Sequence, residues 1–320
     1  MGAILVTGGA GFIGSHLADR LLADGREVVV LDNFDPFYDA SAKLKNLEGA
    51  SRNPRFRLVR GDIRDPASVE AAFEALPVEA VVHLAARAGV RPSIEDPSTY
   101  TSVNLDGTVR MLEACRHRGI SRFIFGSSSS VYGNNPKVPF SEDDPVDHPI
   151  SPYAATKRAG ELLAHTYHHL FGMKIACLRF FTVFGPRQRP DLAIRKFAGL
   201  MAEGRAIPVF GDGTNGRDYT FVDDIVEGVV RSLARAEGFH VWNLGGSHPV
   251  TLNDLIAKLT AGLGVTPKIS RLPLQAGDVE RTFADVSRAK RDLDWAPVTS
   301  IDRGMDEFLA WFASEREGAV

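Results

Sequence analysis

Cysteine is nearly missing from this chain of 320 residues: Cys115 and Cys177 are its two thiols, and no C-x-x-C pair exists. A disulfide framework and a cysteine-rich zinc site are thereby excluded. Nowhere do eighteen apolar residues follow one another, so no membrane-spanning helix is expected. Neither sign of charge dominates, since 37 Lys and Arg stand against 40 Asp and Glu for a net charge of −3. There is no global basic field to hold nucleic acid or an anionic membrane, and any anion must be caught locally. Internal repeats and low-complexity segments are absent too. What is present is an average soluble composition, with 44% hydrophobic and 24% charged residues, which excludes a disordered, collagenous or coiled-coil chain. The chain opens directly on the apolar run Ala3 to Val6 with no basic leader, which reads as a soluble, cytoplasmic protein.

In the first half, short β-rich runs alternate with longer helical patterns, the mark of a parallel sheet wrapped by helices. The pattern predicts strands at Ala3–Thr7, Glu27–Leu31, Phe56–Arg60, Ala80–Leu84, Phe123–Ser127 and Lys174–Leu178. Helices are expected near 12–24, 66–75, 98–118 and 153–171. After Arg179 come a Gly/Pro/Arg-rich loop, Gly185 to Pro190, and helices near 192–203, 223–236, 251–263 and 302–313 mixed with short strands. The expected fold is α/β, a Rossmann-type doubly wound parallel sheet with a smaller C-terminal α/β lobe. Residues 1–180 are expected to form a dinucleotide-binding domain to which a segment around 217–250 returns, and residues 181–320 mainly a substrate lobe.

Gly8, Gly11 and Gly14 fall where the first strand turns into a helix. A pyrophosphate reaches backbone N–H groups at a helix N-terminus only if no Cβ intervenes, and glycine supplies that room. Asp32 follows Gly14 by eighteen residues at the end of the next strand, where its carboxylate can accept hydrogen bonds from ribose hydroxyls and repel a 2′-phosphate. NAD is favoured over NADP, a preference that Arg26 or Lys43 would reverse by reaching the ribose. Asp62 comes directly after the third strand, beside an expected adenine edge, and His83-Leu84-Ala85-Ala86 ends the fourth in small residues. The expected cofactor contacts are Gly8, Gly11, Phe12, Ile13, Gly14, Asp32, Asn33, Asp62, Ile63, Leu84, Ala85 and Ala86.

Ser127 to Ser130 follow the fifth strand, and Tyr153 and Lys157 lie four apart on one face of a predicted helix. A phenol is a poor base at neutral pH, but an adjacent lysine cation and a positively charged nicotinamide both favour the phenolate. The glycine triplet, Asp32, Asp62, the His83–Ala86 run, Asn104, the serines before Val131-Tyr132-Gly133, the Tyr153/Lys157 pair and Arg217-Asp218-Tyr219 together resemble the extended short-chain dehydrogenase/reductases of the NAD-dependent sugar-nucleotide epimerase/dehydratase family. The resemblance spans essentially the whole chain. It implies Tyr153 as catalytic base, Lys157 as its modulator and a ribose ligand, Ser128 as the hydroxyl bonding the reacting sugar oxygen, and Asn104 within the cofactor site.

The family's 4,6-dehydratases carry acidic residues in the two positions before Val131, and its decarboxylases a Glu in the second. Here Ser129 and Ser130 stand there, so the resemblance implies a 4-epimerase working through a 4-keto sugar with internal return of hydride. It further implies Arg217 as a diphosphate ligand, Phe210 beside the uracil, Asp278 on the uridine ribose, and Ser129, Ser130, Thr182 and Arg189 around the sugar. Galactose-type epimerases have Asn where Thr182 stands, whereas the branch acting on UDP-glucuronate shares Thr182 and the Arg187-Gln188-Arg189-Pro190-Asp191 run. The segments from Asp32 to Asp39 and from Ala88 to Ser93 resemble that branch too. A guanidinium fork from Arg189 suits a C6 carboxylate, although pairing with Asp191 is the plainer use of that arginine. A UDP-glucose or UDP-N-acetylglucosamine epimerase is the alternative, with Thr282 as a small gatekeeper, and a non-catalytic NAD-binding regulator the more distant one. His165, His168 and His169 lie on a plain helix, so no metal is expected. The resemblance implies a homodimer through helices near 98–118 and 153–171.

Overall fold

The computed structural model describes residues 2–273 and 281–317. Six strands come in succession from the first half: β1 (Ala3–Thr7), β2 (Val28–Asp32), β3 (Phe56–Arg60), β4 (Val78–His83), β5 (Arg122–Ser128) and β6 (Lys174–Phe180). The chain then forms β7 (Thr182–Phe184), β8 (Ala206–Phe210) and β9 (Gly216–Phe221) outside this sheet, before β10 (Phe239–Leu244) returns to pair in parallel with β6. Two further strands, β11 (Pro249–Thr251) and β12 (Lys268–Leu272), complete the lobe. The main sheet runs β3-β2-β1-β4-β5-β6-β10, while β11-β9-β7 and β12-β8 form small separate sheets.

The apolar runs of the strands are explained by cover on both faces. Along β1 and β2, Ile4, Val6, Val28 and Val30 point into one apolar layer, and the alternate residues Leu5, Val29 and Leu31 into the other. Both layers are closed, so the period-2 pattern carries hydrophobic residues at every position. Strand order reverses between β1 and β4, and the crevice at the carboxyl ends of those strands is where such sheets bind ligands.

The expected strands are found within two or three residues at either end. The helix expected near 98–118 runs without a gap from Pro97 to His117, as Pro97–Thr101, a π-helical turn Ser102–Asp106 and Gly107–His117. Asn104 sits in the widened turn, and such turns are frequent where a side chain must be re-aimed. The pattern also missed the short helices Ala40–Asn46, Val90–Glu95 and Ser287–Leu293, each too brief to display a periodicity.

Candidate active site

A cleft of roughly 500 Å³ opens over the carboxyl ends of β1, β2, β4 and β5. Its floor is the glycine turn between β1 and the helix Phe12–Ala23. Gly8 has φ +69°, and a Cβ there would stand 2.8 Å from the backbone nitrogen of Ala85. A Cβ on Gly14 would lie 2.4 Å from the carbonyl oxygen of Gly8. These glycines therefore let three backbone segments converge, and no side chain caps the helix that starts after Gly11. Its first-turn N–H groups remain for an anion. This cradle fits a dinucleotide pyrophosphate.

Asp32 is buried at the end of β2, where its carboxylate accepts hydrogen bonds from Ala10 N (3.1 Å) and Phe34 N (2.8 Å). Lys43 lies 3.7 Å from it and also donates to the carbonyl of Asp35. Lys43 is thus a counter-ion of Asp32, while Arg26 lies at the opposite, amino end of the strands, where it bonds Gly2 O. Asp62 is forked by Arg64 and receives Asn33 Nδ2 at 2.9 Å. The Arg64 bonds pull its carboxyl down to about 2. Phe12, Ile13, Gly11, Ile63, Leu84, Ala85 and Ala86 all line the same cleft. Asn104 does not; it stands behind the wall, accepting from Arg87 N at 2.8 Å and donating to Arg87 O and Thr156 Oγ1 at 3.0 Å. It clamps the peptide of a residue that lines the cleft.

Tyr153 and Lys157 emerge from the helix Pro152–Phe171, which Ser151 caps by accepting from Ala154 N. Gly160 lets that helix lie against β5, since a Cβ there would meet the Phe125 ring at 2.4 Å. Lys157 Nζ donates to the carbonyl of Gly126 at 2.7 Å and rides 5.1 Å over the Phe125 ring. Burial pushes the Lys157 ammonium down to about 8, against the opposing charge of Glu161. Burial also raises the Tyr153 phenol, while a hydrogen bond from Ser128 and the charge of Arg189 work to lower it. Ser128, Ser129, Ser130 and Thr182 share this end of the cleft.

Arg189 lines the cleft as well, with its guanidinium forked onto Asp191 at 2.9 and 2.7 Å. Two guanidiniums lie against the Phe37 ring, Arg87 at 5.1 Å and Arg189 at 5.3 Å, and Arg87 pairs with Asp35. None of Phe37, Asp35 and Arg87 was singled out for the site by sequence reasoning; the aromatic-rich run after Asp32 was the available signal. Two expected substrate residues lie away from the cleft walls. Phe210 ends β8 beneath the Arg91 guanidinium at 4.4 Å, and Arg217 lies on β9 with a bond to Gly216 O. Asp278 falls outside the described residues. Thr282 donates no space-filling bulk but accepts Asp218 N at 2.9 Å. Among the described residues no three His, Cys, Asp or Glu side chains converge as metal ligands, and His165 stacks on His169. No helix among them is long and apolar enough to cross a membrane.

A glycine cradle at the sheet's switch point beside a Tyr–Lys–Ser cluster with a buried lysine defines a dinucleotide-dependent enzyme of the Rossmann type. Residues 4–245 match the model of the NAD dependent epimerase/dehydratase family, and the chain belongs to that family. It is 42% identical over 313 residues to the UDP-glucuronate 4-epimerase of Thermodesulfobacterium geofontis, covering 97% of this chain and 96% of that protein. Its fold is similar to that of UDP-glucuronic acid 4-epimerase from Bacillus cereus in complex with UDP-glucuronic acid and NAD, with a TM-score of 0.93 and 37% identity over 98% of this chain and 99% of that one. It is also similar to a UDP-glucose 4-epimerase from Thermotoga maritima, with a TM-score of 0.91 and 33% identity over the same shares.

Proposed function

We propose that this chain is an NAD-dependent 4-epimerase of UDP-sugars acting on UDP-glucuronate to give UDP-galacturonate. The observation that carries the substrate is Arg189, a guanidinium in the same wall as Tyr153 and close enough for its charge to act on the phenol. A uronate brings a carboxylate attached to ring carbon 5, the neighbour of the reacting carbon 4. The similarity to UDP-glucuronate 4-epimerases supports the same substrate.

NAD, when bound in the glycine cradle, supplies the acceptor and later the donor of hydride at carbon 4. Tyr153 takes the proton of the 4-hydroxyl, with Ser128 bonding the same oxygen and the Lys157 ammonium favouring the phenolate. The 4-keto sugar then turns over its diphosphate tether, and Tyr153 returns the proton to the oxygen once carbon 4 has been reduced on its other face. Ser129 and Ser130 carry no carboxyl to eliminate water, so the keto sugar is not dehydrated. We assign cofactor contacts to Gly8, Gly11, Phe12, Ile13, Gly14, Asp32, Asn33, Asp62, Ile63 and Leu84 to Ala86, with Asn104 acting through Arg87. Sugar contacts fall to Ser128 to Ser130, Thr182 and Arg189, and uridine diphosphate contacts to Phe210, Arg217 and Asp278. Residues 1–180 with the β10 segment form the cofactor unit in this reading, and 181–320 mainly the sugar-nucleotide lobe.

Incubating the protein separately with UDP-glucuronate, UDP-glucose and UDP-N-acetylglucosamine and resolving the epimers tests the assignment. Turnover of UDP-glucuronate above the others is expected, and preference for a neutral sugar moves the function to the UDP-glucose class. Co-purified NAD with no turnover of any of them is the outcome a binding regulator would give. A cytoplasmic homodimer completes the proposal. Leu162, Leu170 and Phe171 stand 53%, 61% and 46% exposed on the helix Pro152–Phe171, apolar surface that a second copy would cover. Light scattering that returns the mass of one chain would remove the dimer.

A further inference from the structure

The segment from Gly126 to Ser128 touches both groups that act beside Tyr153: the Gly126 carbonyl takes Lys157 Nζ at 2.7 Å, and the Ser128 side chain works to lower the phenol. Its middle residue is pinned from beneath. Ser127 Oγ donates to Glu161 Oε1 at 2.6 Å, and Arg179 forks onto both oxygens of the same carboxylate at 2.9 and 2.8 Å. Arg158 adds a fourth bond at 3.2 Å. Arg179 continues to the Tyr132 hydroxyl at 3.0 Å, which donates to Asn243 Oδ1 at 2.7 Å on β10. Ser127, Lys157, Glu161, Arg179 and Asn243 are all buried.

We propose that Glu161, charge-paired with Arg179 and bonded to Ser127, is a positioning residue for the proton-transfer set. A buried ion pair is weak support for stability, because replacing it by apolar residues is often neutral or stabilising. This one is placed where it fixes geometry. It ties the end of β5 to the helix that carries Tyr153 and Lys157, so the phenol, the ammonium and the Ser128 hydroxyl share one rigid frame. Glu161 also lies one turn beyond Lys157 on the same helix. The other titratable groups facing Lys157 are Tyr153 on its own helix and His83 on β4, with Arg179 on β6 reaching it through Glu161. His83 is held neutral by burial, with the Lys157 charge acting in the same direction. Glu161 is therefore the single negative charge sustaining the ammonium among these groups.

The inference rests on the Tyr153–Lys157–Ser128 reading, and Tyr153→Phe separates the two: full turnover in that variant removes the reading itself. With Tyr153→Phe inactive, Ser127→Ala leaves the Glu161–Arg179 pair intact and should lower kcat about tenfold, with KM within about twofold and NAD retained. Glu161→Gln should move the alkaline limb of the kcat–pH profile down by about one unit, because Lys157 loses the charge that keeps it protonated. If Arg179 left alone prevents folding, the paired change Glu161→Gln with Arg179→Gln should move the limb the same way. Where neither Glu161 variant holds NAD, the kcat of Ser127→Ala decides. Folded, NAD-loaded variants with wild-type kcat and an unmoved limb would overturn the proposal.

Discussion

Burial raises the Tyr153 pKa while Ser128 and the Arg189 charge work to lower it, so in this reading the phenolate that takes the substrate proton depends on those neighbours, on the Lys157 ammonium and on the positive charge that NAD would bring. Removing its hydroxyl should therefore leave folding and NAD binding alone while lowering turnover by about 10² to 10⁴-fold, the span of a positioned acid/base. Steady-state rates alongside NAD content of the purified Tyr153→Phe variant check this. Arg189 poses a sharper question, because its fork is already engaged by Asp191. A uronate must share or displace that carboxylate. Arg189→Ala should still cost UDP-glucuronate turnover on the order of 2 to 5 kcal/mol, the loss for a desolvated charge left unpaired. Any turnover of UDP-glucose should hardly change. The ratio of kcat/KM between the two substrates is the quantity to measure, since misfolding would lower both together; an unchanged ratio makes Arg189 an ordinary loop cation.

The elements place these residues through contacts that local pattern cannot display. Glycine spacing, Asp32 and the four-residue step from Tyr153 to Lys157 were legible because each is a short-range rule tied to a turn or a helix face. The two apolar layers made the strands legible as well. Glu161 was not, because its partners Ser127 and Arg179 lie 34 and 18 residues away; the signal available was a carboxylate on the buried face of an amphipathic helix. Asn104 was found by resemblance, but its work is to clamp the Arg87 backbone. The helix it sits in runs on from Pro97 to His117 as expected, but the π-turn at Ser102–Asp106 within it left no mark in the pattern. Gly160 shows how much the site depends on one element's approach. Gly160→Ala drives a methyl into the Phe125 ring, which is buried beneath Lys157. Overpacking of this kind costs about 1 to 3 kcal/mol, and the helix should retreat from β5, separating Tyr153 from Ser128. Lower melting temperature together with reduced kcat is expected; loss of stability with full kcat would mean that Phe125 absorbs the strain alone.

Across the whole molecule, the cofactor helix and the loop bearing Arg189 are tied directly, by His16 to the Pro186 carbonyl at 3.0 Å and by Arg187 to Asp19 at 2.7 Å. A third link runs beneath the cradle. His83 is buried between Thr7 Oγ1 at 2.7 Å and Thr108 Oγ1 at 3.0 Å, and burial, helped by the Lys157 charge, pushes its pKa down to about 3. The unfolded chain protonates this histidine below about 6.5 while the folded chain does not, so the unfolded state binds more protons between those limits. Stability is then lost as pH falls, by about 2 kcal/mol between pH 8 and 5 from this group. Asp218 acts with the opposite sign. Burial raises its carboxyl to about 6 despite hydrogen bonds from the Ala284, Gly246 and Ser247 amides, so the folded state takes up its proton first and gains about 1.4 kcal/mol over the same span. The two nearly offset, and the wild-type stability curve alone is uninformative. His83→Gln keeps a donor and an acceptor between the two threonines and removes the titration. Whatever its absolute stability, its urea-unfolding free energy relative to wild type should improve by about 2 kcal/mol on going from pH 8 to 5. A gap that stays constant with pH would mean that His83 titrates alike in both states, and that the link under the glycine turn is open to protons.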